Sequence, residues 1–206
     1  MPRIGGMEKV DFWFDPSCPW TWVTSLWMCE VASLRDIEVN WRPFSLYFLN
    51  EGRELDPDYR KLTDYNFVGS RVTGAVAVTD PEKLSDFFMA VGTKYHNEAR
   101  GKEDYEGILK EALGDCGLDA ELFDRATAGE FDDFMRESTK AGLDIVGDQV
   151  GVPIVSFNDV GFFGPVIAKV PRGDEALKLW DGCLAAASVD SFYELKRSRN
   201  VKPQFD

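Results

Sequence analysis

The chain has 206 residues, of which 44% are hydrophobic, enough for one compact unit or two closely packed ones at about 100–200 residues per domain. A formal net charge of −13 argues against nucleic acid or an anionic membrane surface as the main partner, because phosphate binding needs clustered Lys and Arg. The cluster Lys196-Arg197-Ser198-Arg199 is short and reads as a solvated helix end whose cations suit the negative end of the dipole.

Val10-Asp11-Phe12-Trp13-Phe14 is rich in β-branched and aromatic residues and reads as a buried strand. It stops at Asp15-Pro16, and Ser17-Cys18-Pro19-Trp20-Thr21 opens a stretch to Leu34 with apolar residues at Trp22, Val23, Leu26, Trp27, Val31 and Leu34. That spacing predicts a helix buried on more than one side. Pro19 suits the first helical position, where a missing N–H costs nothing. Cys18 therefore falls where free N–H groups and the positive end of the macrodipole favour S⁻ over SH, and it is the candidate nucleophile, expected as a thiolate. The second cysteine of a Cys-x-x-Cys pair is replaced by Thr21. Cys18 thus cannot close a disulfide within the motif, and Thr21 either donates its hydroxyl to the sulfur or is a small filler. Cys29, Cys116 and Cys183 read as ordinary small hydrophobes.

Ile37 to Trp41 alternates as a half-buried strand running towards Phe44, with Pro43 suited to an edge or strand end. The first 45 residues thus read β-α-β, a parallel pair with a right-handed crossover. From Ser45 to Gly147 apolar residues recur at three and four, as in Leu84, Phe87, Phe88 and Val91, which predicts several helices broken at Asp80-Pro81, Gly114 to Gly117 and Ala128-Gly129. Val152 to Phe157, the turn Asn158-Asp159, and Val160 to Phe163 predict a hairpin. Gly173 to Ala187 reads as a helix, and Phe192 to Arg197 as a last helical turn. The expected fold class is α/β, thioredoxin-like with an inserted α-helical domain: residues 1–45 and 148–206 form a discontinuous domain around an insertion at 46–147.

Nothing near Met1 to Lys9 has the apolar core of a signal peptide, and no run of about 18 apolar residues suggests a membrane span. Four cysteines without pairing spacing point to the reducing cytosol. His96, the single histidine, has no companion at metal spacing, so no metal site is expected. It reads either as a pocket residue or as a solvated residue at a helix end. No Gly-rich phosphate loop appears, and nothing calls for flavin or a nicotinamide cofactor. Trp20, Trp22, Tyr47, Phe48, Tyr59 and Tyr65 flank the motif, and one or two of them are expected to line an apolar cleft where a flat organic substrate stacks.

The element order, Cys18-Pro19-Trp20 and Val152-Pro153 together resemble the DsbA-like branch of the thioredoxin superfamily. More narrowly, the chain is similar to the mycothiol-dependent nitroreductases. The matching residues are Asp11 to Pro16, Cys18 to Trp20, Arg35 to Asn40, Gly161 to Pro165, Pro171 to Gly173, Lys178 to Asp181, Glu194 to Arg197 and Pro203-Gln204-Phe205-Asp206. The resemblance implies a cytosolic oxidoreductase that takes mycothiol as co-substrate, a small thiol partner, and a small aromatic or disulfide substrate. It implies Cys18 as nucleophile, with Pro19, Trp20, Asn50 and Tyr59 at the pocket and a cis bond at Val152-Pro153 facing the cysteine. With Thr21 in place of the second cysteine, the expected cycle is monothiol, resolved by a second small thiol. The alternatives are a thiol S-transferase or isomerase in which the bound small thiol is the nucleophile, or a non-catalytic small-molecule or peptide binding protein. A homo-oligomer is left open.

Overall fold

A computed structural model describes residues 8–205. The leader reading at Met1 to Met7 and the terminal Asp206 lie outside the described residues. Strand β1 (Glu8–Phe14) leads into helix α1 (Pro19–Leu34) and strand β2 (Ile37–Pro43). The two strands pair in parallel, with Val10 opposite Val39 and Phe12 opposite Trp41. Between β2 and the third strand run α2 (Leu46–Leu49), α3 (Pro57–Thr79), α4 (Leu84–Gly92), a π-helical turn (Thr93–Asn97), α5 (Tyr105–Asp115), α6 (Glu121–Thr127) and α7 (Asp132–Val146). Strands β3 (Ile154–Phe157) and β4 (Val160–Phe163) and helix α8 (Gly173–Ala187) complete the order.

The sheet runs β2-β1-β3-β4. Pro43, which lacks a ladder donor, therefore ends an edge strand. Strand β3 lies antiparallel to both β1 and β4. Asn158 and Asp159 join the hairpin, both at positive φ (50° and 69°), the backbone that a two-residue turn needs to match the strand twist.

Alternation along β1 divides its side chains between the two faces. Val10, Phe12 and Phe14 enter one cluster with Trp22, Trp27 and Met28 of α1, Phe87, Phe88 and Val91 of α4, Ile108 of α5 and Trp180 of α8. That core is continuous from the sheet into the helical block. Phe14 stacks on Phe88 with centroids 4.0 Å apart, and each buried Phe or Leu here is worth about 1.5–3 kcal/mol over an exposed one. Trp13 points the other way into a smaller cluster with Cys18, Phe44, Leu49, Val152 and Ile154. The candidate nucleophile is thus packed on the face of the sheet opposite the main core.

Two terminal expectations are corrected. Helix α8 ends at Ala187, and Ser188 to Phe205 is irregular. Phe192 to Arg197 is therefore not a helical turn. The Lys196-Arg197-Ser198-Arg199 cluster likewise lies on an extended tail and not at a helix end, for no apolar periodicity there pays the cost of fixing a helix. Among the described residues no helix is long and apolar enough to cross a membrane.

Candidate active site

Asp15 to Cys18 form a turn in which the Cys18 N–H donates to Asp15 O at 3.0 Å, with Pro16 at the second position, where its fixed φ is suited. The Asp15 carboxylate holds this turn. Its Oδ1 accepts from Ser17 N (2.9 Å) and Ser17 Oγ (2.6 Å), while Oδ2 accepts from Leu46 N (2.9 Å) at the start of α2 and Ser70 Oγ (3.4 Å) on α3. Asp15 is only 2% exposed. Burial pushes its carboxyl above the ordinary value, and the four donors pull it back.

Cys18 caps α1, with Pro19 opening the helix. Its Sγ–H donates to Val152 O at 3.7 Å. The thiol is 8% exposed, and here the sequence expectation of a ready thiolate is corrected. Burial raises its pKa and the nearby Asp15 charge adds to the rise, while the Thr21 hydroxyl and the N–H groups of Thr21 and Trp20 oppose it. The helix start does favour S⁻, as expected, but desolvation outweighs it. Thr21 is fully buried, and its Oγ1 has no hydrogen-bond partner of ordinary geometry. It lies beside the sulfur, where a hydroxyl lowers the Cys18 pKa against the larger effect of burial.

Beside Cys18 opens a cavity of about 360 Å³. One side comes from the motif and the turn, with Asp15, Ser17, Pro19 and Trp20. The other comes from α3, with Tyr59, Leu62, Thr63, Asn66 and Ser70. Those five positions fall on one stripe of a helix. Leu46 and Tyr47 of α2 close the end, and Tyr47 is fixed by stacking on Phe67 at 3.9 Å. Tyr95 Oη donates to Asn66 Oδ1 at 2.9 Å, leaving the Asn66 NH₂ as the donor available on that wall.

Residues 17–197 match the model of the Rv2466c-like family, described as mycothiol-dependent nitroreductase Rv2466c. The chain belongs to this family. A curated relative, the uncharacterized protein Rv2286c of Mycobacterium tuberculosis, is 29% identical over 196 residues, covering 94% of this chain and 84% of the relative. Among solved structures, a probable DsbA oxidoreductase from Streptomyces coelicolor superposes with a TM-score of 0.58 at 17% identity, covering 94% of each chain. A 2-hydroxychromene-2-carboxylate isomerase superposes with a TM-score of 0.57 at 15% identity, covering 86% of this chain and 94% of that one. The fold of this family member is the DsbA-like thioredoxin fold, mixed α/β, and its family supports a thiol oxidoreductase.

The other residues singled out from sequence take different places. Trp20 and Tyr59 line the cavity. Asn50 does not: it ends α2, and its Nδ2 donates to Leu46 O at 2.7 Å. Val152 lies against Cys18 through its carbonyl, and Val152-Pro153 is cis. His96 is neither solvated nor in the cavity. It is 7% exposed, its Nε2–H donates to Pro16 O at 2.9 Å, and its ring stacks on Trp22 at 5.8 Å. Because the partner is a carbonyl, Nε2 carries the proton. Burial lowers its pKa to about 4, so His96 is a neutral brace for the turn that carries Cys18.

Cys116 and Cys183 are half-buried, and neither they nor Cys29 line the cavity. Burial pushes the Cys183 thiol up to about 11. Among the described residues no group of three His, Cys, Asp or Glu is placed to hold a metal ion. Sequence reasoning missed Asp15, Thr63, Asn66 and Ser70. The available signal was Thr63, Asn66 and Ser70 recurring at three and four residues after Tyr59, on one stripe of α3.

Proposed function

We propose that this protein is a mycothiol-dependent thiol oxidoreductase, with nitroreductase activity, in which Cys18 is the reacting atom and the cycle is monothiol. The observation that carries the reading is Cys18 at the start of α1, beside a 360 Å³ cavity, with Thr21 where a resolving cysteine would stand. In this reading residues 1–45 and 148–206 make the thioredoxin-like part, 46–147 the inserted helical part, and the protein works in the cytoplasm.

Mycothiol suits the site because the α3 wall offers Thr63, Asn66 and Ser70 as polar partners next to the thiol. Its chemistry would be to supply the reducing equivalents. Cys18 loses its proton, and its sulfur attacks one sulfur of a disulfide, forming a mixed disulfide and expelling the other sulfur as a thiolate. A second small thiol then attacks the mixed disulfide and returns Cys18 as the leaving thiolate. Thr21 O–H and the N–H groups of Thr21 and Trp20 stabilise the sulfur charge in both steps. For a nitroaromatic, two thiols become one disulfide while the nitro group becomes nitroso and one oxygen leaves as water. Trp20, Tyr47 and Tyr59 provide the flat apolar surface for such a ring.

The raised Cys18 thiol favours one second reading, a thiol S-transferase or isomerase in which the bound small thiol attacks and Cys18 only orients it. Intact-mass spectrometry after incubation with oxidised mycothiol separates the two. A single mycothiol adduct on the parent, absent from Cys18→Ser and removed by free thiol, supports the monothiol cycle. No adduct on a folded parent, with turnover retained in Cys18→Ser, moves the assignment to the transferase reading.

A further inference from the structure

Trp20 is shared between the cavity and the irregular tail. It lines the cavity next to Cys18, and the Arg199 guanidinium carbon sits over its ring, 4.9 Å from the centroid. The tail is fixed in this position beyond Arg199. Phe205 packs against His96 with centroids 5.3 Å apart, Asn97 Nδ2 donates to Phe205 O at 2.6 Å, and Gln204 N donates to Ala168 O at 2.7 Å. Among the described residues Arg199 makes no hydrogen bond or ion pair through its five N–H donors, although the chain carries 36 acidic residues against 23 basic ones. Arg35, Arg42, Arg53, Arg71, Arg100, Arg125, Arg136 and Arg172 have carboxylate partners and Arg60 bonds backbone carbonyls, whereas Arg197, like Arg199, has no partner among the described residues.

We propose that Arg199 is a specificity-determining residue, which selects substrates carrying a carboxylate or another anionic group and seats that group at the Trp20 end of the cavity. Stacking on an aromatic ring fixes the plane of a guanidinium while leaving its edge free for bidentate pairing with a carboxylate. Lys196 and Arg197 stand within three residues, a reach of about 10 Å even in extended chain, which is about one Debye length at 0.1 M salt. They add to the positive field on the approach in an otherwise strongly acidic protein. Asp15 is the one carboxyl among the residues that line the cavity, and its charge repels a second anion. An anionic substrate is therefore held with its charged end at Arg199 and its reducible end towards Cys18.

The inference rests on Cys18 as the reacting atom, and the test reads that thiol without mycothiol or turnover. In a Cys29→Ser/Cys116→Ser/Cys183→Ser background, Cys18 is reacted with dithiobis(nitrobenzoate), an anionic aromatic disulfide, and with neutral dithiodipyridine. Arg199→Ala should slow the anionic reagent about fivefold, at the upper end for an exposed charge pair, and leave the neutral one unchanged. Arg199→Lys should recover part of the rate, and salt near 1 M, where the Debye length is about 3 Å, should erase the difference. If the triple background does not fold, the same ratio is read at the Cys18 peptide by mass spectrometry in the chain with all four cysteines. Equal changes for both reagents would make the tail only a steric cover and overturn the proposal, as would no change for either. Failure of Cys18 to react with both reagents overturns the thiol reading itself, and this inference with it. Reaction with both, blind to charge, overturns only the role of Arg199.

Discussion

Acidification tests the neutral brace at the active turn. His96 is buried, its Nε2–H is committed to Pro16 O at 2.9 Å, and burial lowers its pKa from 6.5 to about 4. The unfolded chain takes up the proton first, so the stability held by the neutral ring is present above about pH 6.5 and lost as pH falls through 4. At about 1.36 kcal/mol per pKa unit, that gap is worth about 3 kcal/mol. Asp15 acts with the opposite sign: its carboxyl is raised by burial, so its contribution is present at low pH and lost as pH rises through its folded value. The difference from a variant isolates the histidine. Denaturant unfolding of untagged protein between pH 7 and 4 should cost the parent about 3 kcal/mol more than His96→Gln, whose amide can still donate to Pro16 O but cannot take a proton. Since the chain has one histidine, nitrogen NMR of its ring gives a direct reading, with the Nε2-protonated tautomer persisting below pH 6. Parallel losses in parent and variant, or a ring titrating near 6.5, refute the reasoning.

Alkylation of Cys18 should still be accelerating as pH passes 9, because burial holds the thiol above its ordinary 9.0; a plateau below pH 7 contradicts this. Thr21→Val removes the hydroxyl that favours the ionised sulfur, so the alkylation midpoint should move further up while the melting temperature barely changes. Asp15→Asn should move that midpoint down, since the charge raising it is gone, and should cost about 1–3 kcal/mol of stability through lost acceptor capacity. Gly92→Ala drives a Cβ into the rigid Trp22 ring, whereas at Gly74 the new atom meets the unbranched Met135 side chain, which has more rotatable bonds to yield. Thermal melts should show about 1–3 kcal/mol lost in the first and less in the second.

The β-α-β opening, the hairpin and α8 could be read in the sequence because alternation, helical spacing and turn residues agree locally there. Cys18 was legible for the same reason: Pro19 marks the helix start. Its ionisation was not, because desolvation comes from Val152, Trp13 and Phe44, brought together only by the fold. His96 was misplaced for a related reason. Its neighbours Pro16, Trp22 and Phe205 are distant in sequence, and a histidine flanked by Tyr, Asn and Glu reads as surface. Asp15 reads as a turn former, which it is; that its second oxygen also ties α2 and α3 to the turn depends on tertiary contact. The tail after Ala187 misled most, since a basic run after a helix suits both a frayed terminus and an extended arm.

The α3 stripe has a consequence for how such a site diversifies. The thiol and its ionising groups belong to α1 and the Asp15 turn, while Tyr59, Leu62 and Thr63 stand on a separate helix whose opposite side is anchored in the main core. Tyr59, Leu62 and Thr63 can be exchanged to admit rings of another width while Ser70, which holds Asp15, and the groups that set the charge on sulfur stay in place. Reactivity and substrate range are then inherited on different pieces of the chain, and a lineage can explore the second while keeping the first.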